Sequence, residues 1–173
     1  SVNWNADKTG YEVAFKNAKF WTNENHWQWA TEPNPREKAS FLSENILPNQ
    51  ESGQLKFVDR VGDFTKNVFN QMDVLFVDGH TESMMLPQIQ YKGKTIVYMA
   101  DLLPSAAHLP IPYVMAYDTR PLQTLNEKKE FLIEAAENDY ILFFEHDPQI
   151  ECCSLQQTEK GVRMKDALRL DDL

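Results

Sequence analysis

The chain has 173 residues, 42% of them hydrophobic and 25% charged, which is enough length and apolar content for one folded domain with a real core. A formal net charge of −9, with no cluster of Lys and Arg to form a basic face, excludes nucleic acid as an expected partner. Apolar runs such as VLFV and ILFF fall far short of the roughly 20 residues needed to cross a bilayer, so a soluble chain with no membrane partner is expected.

The opening to about Phe20 is polar and turn-rich, with short strands expected at Tyr11 to Phe15 and Lys19 to Thr22. Layered α/β folds start on an apolar strand, whereas SVNWNADKTG reads as a loop leaving something that precedes it. It has no basic segment followed by an apolar core, so the expected location is cytoplasmic, with a leader removed earlier as the alternative. Asn23 or Asn25 caps a short expected helix through Trp29 that carries His26, Trp27 and Trp29. Pro33 and Pro35 separate it from a second helix, expected over roughly Arg36 to Leu47, where Ala39, Leu42, Ile46 and Leu47 fall near one face. Trp21, Trp27 and Trp29 read either as packing of a helix on a sheet or as the wall of an apolar substrate pocket. His26 reads as a surface or packing residue.

From Leu55 the pattern turns to strands. LKFVD and Val74 to Val77 come first, then a hairpin of Met84 to Tyr91 and Thr95 to Met99 joined by KGK. Loops punctuated by Pro104, Pro110, Pro112 and Pro121 follow. Leu125 to Asn138 is the clearest helix, with Leu125, Phe131, Leu132, Ala135 and Ala136 opposite a polar face that includes Glu127 and Lys128. The strand Tyr140 to Phe144 and a closing hairpin, Glu151 to Gln157 and Val162 to Leu168, complete the chain. Cys152 and Cys153 are neighbours, so they cannot staple distant segments, and they read as structural residues of a strand.

Three apolar runs end abruptly in a residue able to bind a metal. His80 follows VLFVDG, Asp101 follows TIVYMA and His146 follows ILFFE. A polar group at the mouth of a core needs a hydrogen-bond partner or an ion, so the three endings point to converging strand ends. Imidazole nitrogen and carboxylate oxygen suit a zinc-type ion. On residue chemistry alone each can equally be a capped strand end.

DGHT at Asp78 to Thr81, MADLLPSAAH at Met99 to His108 and FFEHD at Phe143 to Asp147 resemble the third, fourth and fifth metal motifs of the metallo-β-lactamase superfamily. The continuation YVMAYDTRP is similar to the branch of lactonase-like hydrolases that open acyl-homoserine lactones, and more distantly to the methyl-parathion-hydrolase group. The resemblance runs from about Phe57 to Lys165. It implies an α/β (layered α+β) fold, the C-terminal half of an αβ/βα sandwich, spanned by residues 1–173 as a single partial domain. It further implies a hydrolase of an ester or lactone that uses a hydroxide held between two zinc ions, with manganese or iron as alternatives. By the same resemblance, His80 binds one metal, Asp101 bridges the two and is catalytic, and His146 binds the second. His108 is then a catalytic, substrate-facing group or one supporting it from behind, and Thr81 orients the ligand beside it.

The first metal motif of that superfamily, His-x-His-x-Asp-His, does not occur in the chain. The expectation is a chain inactive by itself, whose partner is the N-terminal half of the same fold on another chain or fragment, or a second copy of itself. With His80, Asp101 and His146 alone, neither ion has more than two protein ligands. Two other functions stay open at this point: a non-catalytic, oligomer-forming half with relic ligands, and a di-iron redox member of the fold.

Overall fold

The computed structural model describes residues 1–69 and 72–173. By its internal contacts the chain divides into two compact units, Ser1–Asp59 and Arg60–Leu173.

In the first unit, β1 (Val2–Trp4) and β2 (Tyr11–Val13) form an antiparallel pair, and β3 (Phe20–Thr22) and β4 (Leu55–Phe57) a parallel one. Asn23 caps α1 (Glu24–Thr31) as its composition predicts, its side chain accepting from the His26 N–H at 2.9 Å. The second helix, α2 (Ser43–Glu51), starts seven residues later than its apolar spacing suggests. Residues 34–40 instead form tight turns, in which the buried Glu37 carboxylate accepts from Trp29 Nε1 at 2.7 Å and from the Asn34 side chain at 2.5 Å. These local side-chain bonds compete with helix and win. His26 packs edge-on against Phe41 with ring centroids 5.8 Å apart, the packing role expected of it.

The second unit is built on seven strands: β5 (Phe64–Phe69), β6 (Met72–Val77), β7 (Met84–Tyr91), β8 (Lys94–Tyr98), β9 (Ile141–Phe143), β10 (Cys152–Thr158) and β11 (Gly161–Leu168). They form one sheet in the order β11-β10-β9-β8-β7-β6-β5. Every neighbouring pair is antiparallel except β8 and β9. The β7–β8 hairpin turns at Lys92 and Gly93, both at positive φ (48° and 77°), the geometry whose twist matches that of the flanking strands. A parallel pair requires a crossover, here α3 (Pro121–Glu137), with Pro121 in its first turn, where a missing N–H has no cost. It begins four residues before the apolar periodicity does.

Phe131, Leu132 and Ala135 of α3 pack with Val97, Met99, Leu142 and Cys153 of the sheet. Cys153 lies in this core and Cys152 in a smaller cluster with Ile96 and Ile141, as alternation along β10 requires. Both thiols are free, and burial pushes them up to about 12 and about 11, respectively. They are structural residues of a strand, as their spacing suggests. Among the described residues, no helix is long and apolar enough to cross a membrane.

Strand directions follow from the pairing. Strand β6 runs antiparallel to β7 and β7 antiparallel to β8, so β6, β8 and β9 all point the same way. Their C-terminal ends therefore open onto one edge of the sheet, the edge that receives His80, Asp101 and His146.

Two residues assigned by periodicity to the polar face of α3 turn onto the backbone of neighbouring loops instead of standing free in water. Lys128 is fully buried and donates all three ammonium protons to backbone carbonyls, of His108 (3.0 Å), Pro110 (3.1 Å) and Tyr113 (2.6 Å). Glu127 is turned onto the loop after β6. Replacing Lys128 by Met keeps the stem but leaves those three carbonyls without their donor. We expect Lys128→Met to lower stability by about 2–4 kcal/mol, read as a shift of the urea midpoint with unchanged slope.

Candidate metal centre

The loop after β6 carries His80 and is held at every step. The Asp78 and Gly79 N–H groups donate to the two oxygens of Glu127, at 2.8 and 3.0 Å. Burial raises the Glu127 carboxyl above its usual range against those bonds. The Asp78 and Gly79 carbonyls accept from Arg120, at 2.6 Å from Nη1 and 2.8 Å from its backbone N–H, and the His80 carbonyl accepts from Thr119 N–H at 3.1 Å. Gly79 is required, because a Cβ there would run into the backbone and hydroxyl of Thr124 on α3. The Asp78 carboxylate is gripped by Arg60 through two parallel bonds of 2.7 and 2.8 Å, and it also accepts from the Ser83 N–H.

Asp101 follows β8 through a sharp bend at Ala100, whose φ of 42° lies in the left-handed region. The loop beyond it is tied to the loop after β9. His146 N–H donates to the Pro104 carbonyl at 3.0 Å, and the Asp147 carboxylate accepts from the N–H groups of Ala106, Gln149 and Ile150. Burial works upward on Asp147, but those three donors together outweigh it and hold the carboxyl below its usual range.

These constraints place the three residues singled out by the sequence around one point. One oxygen of Asp101 faces His80 Nε2 at 3.5 Å, and its other oxygen faces His146 Nε2, also at 3.5 Å. Such separations exceed the roughly 2.7–3.2 Å of an N–H···O hydrogen bond. They match two donor atoms sharing a tetrahedral ion, which stand about 3.4 Å apart when each lies about 2.1 Å from the metal. The donor set thus fits a divalent ion of the zinc type.

Two members of the cluster escaped sequence reasoning. Asp118, with its side chain fully buried, lies 2.9 Å from His80 Nδ1. A carboxylate can only accept, so Nδ1 carries the proton of this bond and Nε2 is the ring atom turned toward Asp101. Expectation named Thr81 for an orienting role; Asp118 is a further group within reach of the ring nitrogen. The second is Glu145, which with Asp101 and His146 forms a group whose ligand atoms all lie within 4.8 Å of one another. Its only signal was adjacency to His146 in FFEHD. Tyr98 hydrogen-bonds Glu145, and burial first, then this carboxylate, push the phenol above its usual range.

His108 sits in a single 3-10 turn, Ala106–His108, with Nδ1 2.9 Å from Ser105 Oγ. Burial, and next the neighbouring Lys128 ammonium, lower its pKa below the ordinary 6.5, with Asp118 acting the other way. Its ring is therefore neutral at pH 7.

No family model and no curated protein sequence matches the chain. Solved structures do. A probable metal-dependent hydrolase from Staphylococcus aureus superposes with a TM-score of 0.75 at 21% identity, over 91% of this chain and 56% of that one. AidC, a dizinc quorum-quenching lactonase in complex with a homoserine product, gives 0.68 at 19% identity, over 92% and 58%. The hydrolase AbOPH of the β-lactamase superfamily gives 0.71 at 17% identity, over 88% and 56%. The fold is therefore of the metallo-β-lactamase type, and the chain spans just over half the length of these structures.

The Arg60–Asp78 pair makes the loop under His80 sensitive to acid. The guanidinium holds the Asp78 carboxyl below its ordinary 3.8, so the stabilisation is complete above that value and is lost as pH falls from 3.8 through the folded value. We expect urea midpoints to drop below about pH 4 in the wild type, and Arg60→Met to remove that part of the drop while costing about 2–3 kcal/mol at pH 7.

Proposed function

We propose that the chain contributes one side of a dinuclear metal site in a hydrolase of esters or lactones, acyl-homoserine lactones included. The observation carrying this reading is the position of Asp101, whose two oxygens each face a different imidazole Nε2 at 3.5 Å. In this reading His80 holds one ion, His146 the other, and Asp101 spans both. Zinc suits the nitrogen and oxygen donors, with manganese or iron as alternatives. The remaining donors, for which the 173 residues hold no His-x-His-x-Asp-His, come from a partner segment or chain of the same fold. The similar structures, among them a dizinc lactonase and a probable metal-dependent hydrolase, support the class.

Bound ions supply Lewis acidity toward a carbonyl oxygen and toward water. The chain's own residues do the rest. Asp118 fixes the His80 tautomer and keeps its ring from rotating. Asp101 brings the negative charge that two neighbouring cations require. His108 stands with Nδ1 engaged by Ser105, which leaves Nε2 as the ring atom to meet a substrate oxygen, in its neutral form at pH 7. The Lys128 ammonium, holding the carbonyls of His108, Pro110 and Tyr113, keeps that loop from drifting as substrate enters.

The test uses the assembled enzyme, assayed on ester and lactone substrates with metal measured in parallel. Asp101→Asn is expected to lower bound metal and abolish hydrolysis with the sheet intact by circular dichroism; wild-type turnover in that variant would overturn the assignment. His108→Ala is expected to keep full metal content and lose turnover by about 100-fold or more, with KM little changed. Metal loss equal to that of His80→Ala would instead make His108 a ligand.

A further inference from the structure

The donor set read from sequence divides His80, Asp101 and His146 between two ions, leaving two protein donors for each. Glu145 breaks that symmetry. Its Oε1 lies 4.0 Å from His146 Nε2, which is itself 3.5 Å from an Asp101 oxygen, and the three donor atoms sit within 4.8 Å of one another. Among the described residues this is the one group of three such donors so close together. The carboxylate is anchored from behind by the Tyr98 hydroxyl, at the C-terminal end of β8, while the loop bearing it is pinned through the His146 N–H to the Pro104 carbonyl. Glu145 and His146 are both more than a third exposed in their side chains, so the Glu145 carboxylate has room for the rotamer adjustment, roughly half an ångström or more, that would bring its oxygen to the spacing of donors on a shared ion.

We propose that Glu145 is a metal ligand, and that Asp101, Glu145 and His146 form a three-donor site that holds one divalent ion using this chain alone. Two carboxylate oxygens and one imidazole nitrogen are a hard, zinc-, cobalt- or manganese-type set. Three protein donors with a position left open is the arrangement of catalytic rather than structural zinc. The site on the His80 side draws only His80 and Asp101 from this chain and depends on donors from elsewhere. The two ions are consequently unequal: the one at His146 loads first and without the partner segment, and the one at His80 loads only on assembly. This rests on the dinuclear reading above for the role of Asp101, and adds to it a ligand and an order.

Titration of the 173-residue chain with Co(II), followed by its visible absorption and checked by competition with Zn(II), tests the proposal without recourse to activity. The expected result is one tightly held ion per chain. Since outer partners of metal ligands alone are worth about 10- to 100-fold in affinity, Glu145→Gln is expected to weaken this ion by at least about tenfold. His80→Ala should leave it unchanged, and His146→Ala should lose it. Wild-type affinity in Glu145→Gln, with Asp101→Asn and His146→Ala still defective, would overturn the role of Glu145 and leave the dinuclear reading standing. Equal losses in His80→Ala and Glu145→Gln would overturn the order of loading. No binding by the wild-type chain, confirmed folded by circular dichroism, would overturn the self-sufficient site; wild-type metal content in Asp101→Asn within the assembled enzyme would overturn the dinuclear reading as well.

Discussion

Two of the three loops that leave the sheet along its β6, β8 and β9 edge are held by the first two turns of a single helix. Thr124 sits against Gly79 so closely that no side chain fits between them, Glu127 takes the N–H groups of Asp78 and Gly79, and Lys128 takes three carbonyls between His108 and Tyr113. Consecutive helical residues point about 100° apart, so Glu127 and Lys128 reach two different loops from adjacent positions. Helix α3 is also the crossover that makes β8 and β9 parallel. The element that creates the common edge is therefore the one that fixes what stands on it.

Charge at that edge is sorted by partner. Arg60 is committed to Asp78, Arg120 to Glu82 and the loop carbonyls, and Lys128 to the loop after β8. Asp118 is spent on His80. What remains is Asp101 and Glu145 beside two imidazoles, a concentration of oxygen and nitrogen donors of the kind that suits a divalent ion.

The parts of this site legible in the sequence are those with a one-dimensional signature. His80, Asp101 and His146 each end an apolar run, and a run that ends in a ligand can be read without knowing how strands pair. Asp118 has no such signature: it lies 38 residues from His80 in a loop punctuated by prolines, and only the fold brings the two together. Glu145 is masked by its neighbour, since a strand end that already offers His146 carries no separate signal for the residue beside it. Glu127 and Lys128 were misread because helical periodicity separates apolar from polar positions and says nothing about polar positions that bury against backbone. The hairpins were read correctly because Gly93 and Gly161 mark turns that need positive φ. The onset of α2 was missed because the competing bonds of Asn34 and Glu37 come from side chains that apolar spacing ignores.

The bend at Ala100 bears on why Asp101 can span two groups at all. A strand continued past Tyr98 would send successive side chains to opposite faces of the sheet, and position 101 would follow that alternation. The left-handed residue at 100 breaks it, at a cost of roughly 1–2 kcal/mol for a residue with a Cβ. Glycine would adopt this φ freely, but the Ala100 side chain is buried with Met99 and Leu102 in the main core, so the methyl group recovers part of the strain through packing. Leu102 and Leu103, nearly or fully buried, then lock the chain immediately beyond. A carboxylate held on both sides by core residues keeps its two oxygens divided between His80 and His146. A carboxylate on a flexible loop would instead rotate to satisfy one imidazole at hydrogen-bonding distance and abandon the other. The strain is thus tied to the one geometric feature, two equal 3.5 Å separations, on which a shared ligand depends.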